Sequence, residues 1–126
     1  MTVTYSRSAV IESTPTAAKP FLVYCAFDVT WHRPHRNPIG FTVPKGFDTD
    51  LASIPWGLRN LVSQFSGVQQ AVTHDFGYQG HTDLTKAELD LLFYEGLRTP
   101  GSGIGRFKAR IMYKGVRFGG KGHWGR

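Results

Sequence analysis

The sequence predicts an α+β fold: a small N-terminal antiparallel β-hairpin or sheet, then a helical half containing an antiparallel helix pair. Three observations carry this. Aromatic and β-branched residues crowd Phe21–Trp31 and Ile39–Val43, on either side of the stop signal Arg33-Pro34-His35-Arg36-Asn37-Pro38. From Leu58 onward, apolar residues recur at helical rather than alternating spacing. Finally, Thr85 with Glu88 three residues on forms a capping box, the clearest helix start in the chain. The 126 residues suit a single domain, and fifteen Gly with seven Pro imply short elements joined by many loops.

Taken in order, residues 1–19 are rich in Ser, Thr and Ala without clear periodicity. They read as an extended arm or an edge strand, ordered only if docked. Phe21 to Trp31 reads as one strand, and Ile39 to Val43 as its hairpin partner, ended by Pro44-Lys45-Gly46. Gly46 to Pro55 is a polar loop carrying Asp48, Thr49, Asp50 and Ser53. Ile54-Pro55-Trp56 opens a short helix, since proline is tolerated at the first helical position. That helix holds Leu58, Leu61, Val62 and Phe65, and Ser66-Gly67 interrupts it. A second helix runs from about Val68 to Tyr78 and stops at Gly80. The third begins at Thr85, with Leu84 and Leu89 at hydrophobic-staple positions, and breaks at Thr99-Pro100-Gly101. Residues 105–118 read as a fourth, basic helix with Phe107, Ile111, Tyr113 and Val116 as its imperfect apolar face. Residues 119–126 read as a flexible basic tail.

Composition excludes several classes. Cys25 is the single cysteine, so there is no internal disulfide and no cysteine-based zinc site. The longest apolar run, Phe21 to Phe27, is far below the roughly 18 residues that span a bilayer, and no signal peptide is visible. Fifteen Lys+Arg against nine Asp+Glu give a net charge of +6. The surplus lies after Arg98, where Arg106, Lys108, Arg110, Lys114, Arg117, Lys121 and Arg126 meet no acid. Such a segment is either a solvated basic face or a surface for nucleic acid, anionic lipid or an acidic partner. Phe107, Tyr113, Phe118 and Trp124 alternate with the charges and favour binding.

The chemistry concentrates in Thr73-His74-Asp75-Phe76-Gly77-Tyr78 and in Asp90. At about 100° per residue, Val68, Val72, Asp75 and Phe76 share one arc, and Ala71, His74 and Tyr78 the opposite one. No face of that helix is purely polar, which implies burial on both sides. In the third helix Asp90 falls inside the apolar arc of Leu89, Phe93, Tyr94 and Leu97. A carboxylate there needs a partner on another element, and His74 is the obvious one. A histidine held by an acid is suited to take a proton from water. Asp75 points elsewhere and suits a hard cation shared with a polar loop. The alternative is a satisfied polar network that only ties two helices to the 46–55 loop. A ring open to a pocket favours chemistry, and a sealed ring favours scaffolding.

His74-Asp75-Phe76-Gly77-Tyr78, followed by Lys86-x-x-Leu89-Asp90-x-x-Phe93-Tyr94, resembles the catalytic helix pair of the phospholipase A2 superfamily, its bacterial low-disulfide branch above all. The wider chain, from about Val43 to Gly119, resembles an uncharacterised family of small phage and prophage proteins. Its pattern, GF-x-TDLAS-x-P, A-V-x-HD-x-x-Y and an acid-plus-Phe helix, is matched by Gly46–Pro55, Ala71–Tyr78 and the Asp90 segment. The first resemblance implies His74 as general base, Asp90 as the carboxylate orienting it and Tyr78 as a hydrogen-bond support. It also implies calcium, held by Asp75, with Asp48 and Asp50 of Lys45–Asp50 as candidate further ligands. Here the family's flanking cysteines are missing, and so is its glycine-rich calcium loop. Together the resemblances imply a phage-encoded ester hydrolase acting at the bacterial envelope, with the virion tail as a candidate carrier, or a non-catalytic tail or assembly protein that keeps the helix pair as scaffold. The partners implied are other phage structural proteins and bacterial membrane lipid, with nucleic acid ranked lower, and the location is the virion or the host cytoplasm.

Overall fold

The computed structural model describes residues 2–13, 19, 21–51, 67–99 and 104–118. Among the described residues, six strands precede three α-helices: β1 Thr2–Tyr5, β2 Ile11–Ser13, β3 Phe21–Val23, β4 Phe27–His32, β5 Ile39–Val43, β6 Asp48–Thr49, α1 Val68–Phe76, α2 Lys86–Arg98 and α3 Arg106–Phe118. This is the expected α+β order, with an antiparallel β region followed by helices. The short helix expected at 54–65, with Trp56, lies outside the described residues, as do Trp124 and the rest of the tail.

The strands form two three-stranded antiparallel sheets, ordered β1-β4-β5 and β2-β3-β6. The hairpin is where the sequence places it, with Phe27 opposite Val43 and Trp31 opposite Ile39. Phe27, Val29 and Trp31 alternate inward along β4 and are buried, while Asp28 and His32 face out. The N-terminal segment takes the edge-strand option, because Val3 is buried when β1 pairs with β4.

One expectation is corrected. Phe21 to Trp31 is two strands, not one, and they belong to different sheets. The division is set by partners rather than by local residue type. β3 bonds to β2 and β6, and the Val23 and Tyr24 amides donate to Phe47 and Val10. β4 then joins β1 and β5.

The helices close the core from the other side. Ala71, Val72 and Phe76 of α1 join Leu89, Leu92, Phe93 and Leu97 of α2 and Ala109, Met112 and Val116 of α3. α1 runs into a π-helical turn, Gly77–His81, and the chain reverses at Gly80, whose φ of 87° suits glycine. A side chain at Gly77 would run into Leu89, so this glycine sets how closely α1 approaches α2. The capping box of α2 is present as read: Thr85 Oγ1 accepts from the Glu88 amide at 3.2 Å, and Glu88 Oε1 accepts from the Thr85 amide at 3.0 Å. Both staple leucines, Leu84 and Leu89, are buried.

The fourth expected helix forms, but its apolar face differs. α3 buries Ala109, Met112 and Val116 and leaves Phe107 and Ile111 exposed. The inward positions are three and four apart, and small Ala109 lets the helix approach α2.

Candidate active site

The site is the crossing of α1 and α2. Because α1 is enclosed on both sides, Gln70 to Tyr78 are all buried, His74 and Asp75 included. Antiparallel packing sets His74 against Asp90 of α2, and Nε2 lies 2.7 Å from Asp90 Oδ1. Tyr78, one turn after His74, donates its hydroxyl to the same oxygen at 2.7 Å. The second carboxylate oxygen takes two cations. Lys86 Nζ is 2.8 Å from Oδ2, one turn earlier on α2, and Arg117 NH1 of α3 is 3.0 Å away. Lys86 also donates to the Val116 and Arg117 carbonyls at 3.0 and 3.3 Å, so it clasps the end of α3 to the same acid.

Asp90 therefore accepts from four side chains while its own side chain is fully buried. Burial pushes its carboxyl up, but the bonds from His74, Lys86 and Tyr78 outweigh this and hold it below the ordinary carboxylate range. Asp90 is ionised at neutral pH. The opposite balance holds for His74: burial lowers its basicity more than Asp90 raises it, and the ring is neutral at pH 7. An ionised Asp90 only accepts, so the proton of the neutral ring sits on Nε2 and Nδ1 is the basic nitrogen. Burial, together with the charge and hydrogen bond of Asp90, drives the Tyr78 hydroxyl far above its usual range. It stays a donor. The imidazole packs 4.2 Å from the Tyr78 ring and 5.0 Å from Phe93, which fixes its plane.

Asp75 faces the other way. Its Oδ2 accepts from Thr49 Oγ1 of β6 and from Gln79 Nε2 at 2.8 Å. Thr49 Oγ1 also accepts the Leu51 amide at 2.9 Å, holding Leu51 at a φ of 60°. The 46–55 loop thus does meet α1, but through Thr49. Asp48 alternates to the outside, where its half-exposed carboxylate lies 3.9 Å from Lys19 Nζ, and Asp50 is half-buried. Among the described residues no group of three or more His, Cys, Asp or Glu is placed to hold a metal. On Asp75 itself, Oδ2 is taken by the hydroxyl and amide donors of Thr49 and Gln79.

The sequence alone assigns no role in this centre to Lys86, Gln79, Thr49 or Arg117. Lys86 and Gln79 are one helical turn from Asp90 and Asp75, so the spacing signal was present. Thr49 and Arg117 reach the site only through tertiary packing. A separate buried acid, Glu95, accepts from Trp31 Nε1 at 2.6 Å and ties α2 to β4.

Residues 27–116 match the family model described as "Protein of unknown function (DUF1353)". The chain belongs to this family. The matched segment of the DUF1353 family runs from the first residue of β4 into α3, and it contains His74, Asp75, Tyr78 and Asp90. No curated protein and no solved structure matches the chain.

Proposed function

We propose that the His74–Asp90 pair is the general-base centre of a phospholipase A2-like hydrolase, phage-encoded and acting on carboxylic esters at the bacterial envelope. One observation carries this reading: His74 Nε2 and Tyr78 OH converge on one oxygen of an ionised, buried Asp90. That geometry fixes the tautomer in which Nδ1 can take a proton from water. In this reading Nδ1 accepts the proton as the water oxygen attacks the ester carbonyl carbon. The imidazolium that forms is stabilised by Asp90, and it returns the proton to the leaving alkoxide. Lys86 and Arg117 keep Asp90 ionised and so work against its strengthening of His74 as a base.

A second reading, a non-catalytic tail or assembly protein, is favoured by a specific fact. The His74 side chain has no exposed surface, so water and ester must gain access for chemistry to occur. The two readings part on His74→Ala. As a hydrolase, the wild type releases fatty acid from phospholipid vesicles, and the variant stays folded but loses about 10²-fold or more in rate. As a scaffold, neither protein releases fatty acid and the substitution registers only as a lower melting temperature. Repeating the assay with added calcium and with a chelator tests the implied cofactor.

A further inference from the structure

We propose that the outer face of α3 is a docking surface for an anionic lipid bilayer. The inner face of this helix is used by the fold: Ala109, Met112 and Val116 are buried, and Arg117 reaches Asp90. Opposite them, Phe107, Ile111, Lys114 and Phe118 follow at spacings of four, three and four residues, which is one stripe along a helix. Phe107 is 79% exposed, Phe118 81% and Ile111 38%. Single exposed apolar residues are ordinary, but an aligned stripe marks an interaction surface. Arg106 and Arg110 are exposed beside it, and α3 contains no acid.

The charge pattern selects the occupant. A second copy would set like charges against one another with no carboxylate on either α3 to answer them. Single-stranded nucleic acid would use the phenylalanines as stacking platforms. Phe107 and Phe118, however, stand about 16 Å apart along the axis at 1.5 Å per residue, and the two residues between them in the stripe, Ile111 and Lys114, carry no ring on which a base could stack. A bilayer with anionic headgroups takes both features at once. The phenylalanines and Ile111 enter the acyl boundary, and Arg106, Arg110 and Lys114 meet lipid phosphates. Binding of this kind is peripheral, and none of the described helices is long and apolar enough to cross a membrane. The inference stands without the hydrolase reading. If both hold, the lipid-facing Phe118 follows directly on Arg117, a cation of the candidate centre.

The test is co-sedimentation of the full chain with vesicles of phosphatidylglycerol mixed with phosphatidylcholine, against vesicles of phosphatidylcholine alone. The wild type is expected to sediment with the anionic vesicles only, and less so as salt rises. Phe107→Ser with Phe118→Ser should weaken binding by about tenfold or more at an unchanged melting temperature, because both rings are exposed. Lys114→Gln should weaken it about fivefold. His74→Ala should bind as the wild type does, which separates this result from any failure of hydrolysis. The proposal is overturned by no sedimentation with anionic vesicles at low salt. It is equally overturned by binding that survives the double Phe substitution, or by tighter, Phe-dependent binding to single-stranded DNA.

Discussion

The two faces of α3 break the usual partition of residues in opposite directions. Inward, the helix sends Arg117 to a fully buried carboxylate at the edge of the apolar core. Outward, it holds Phe107 and Phe118 in water. The inward exception is resolved within the chain, because Asp90 collects four donors from α1, the π-helical turn, α2 and α3. Nothing in the described chain resolves the outward one. Internal polar groups that are completely answered hold elements together, whereas apolar groups left unanswered point to a partner.

The contrast predicts a ranking of effects. Asp90→Asn should be the most damaging substitution, because it leaves Lys86 and Arg117 together around a neutral amide. The expected loss is about 3 kcal/mol, at the low end for a broken buried pair since partly exposed Arg117 can turn to solvent. Urea unfolding measures it, and a loss below about 1 kcal/mol would mean that the four bonds do not hold the helices. Gly77→Ala comes next at about 1–3 kcal/mol, from collision with Leu89 rather than from backbone strain, as its φ of −66° is ordinary. Phe118→Ser should sit at the bottom, within about 0.5 kcal/mol of the wild type.

Acid should expose the same asymmetry. His74 is less basic folded than unfolded, so below about pH 6.5 the unfolded chain binds the extra proton and stability falls with pH. Asp90 is more acidic folded than unfolded. Its contribution is present above the ordinary carboxylate range and is lost as pH falls through its lowered folded value. Stability should therefore decline in two stages, and His74→Asn should remove the first. Urea midpoints between pH 7 and pH 5 that are equally steep in wild type and variant would assign the decline to another group.

Much of this was legible in the sequence where the determinants are local. The capping box at Thr85, the hairpin turn at 33–38 and the helical stop at Gly80 are signals written within a few residues. The pairing of His74 with Asp90 followed from an acid lying inside an apolar arc. What was not legible depends on distant partners. β3 and β4 part because each has different neighbours, and Thr49 meets Asp75 because strand alternation at β6 turns it inward and Asp48 outward. Phe107 and Phe118 read from the sequence as binding aromatics, but Phe107 also read as part of the helix's apolar face, and only the packing of Ala109, Met112 and Val116 turns both outward.

As a general base, His74 acts on water rather than merely holding α1 to α2. Fatty-acid release from phosphatidylglycerol vesicles, measured for the wild type and for a folded His74→Ala variant, tests it most directly. The expected result is release by the wild type and a loss of about 10²-fold or more in the variant. No release by the wild type from any phospholipid offered, with or without calcium, would contradict it and leave the Asp90 centre a scaffold.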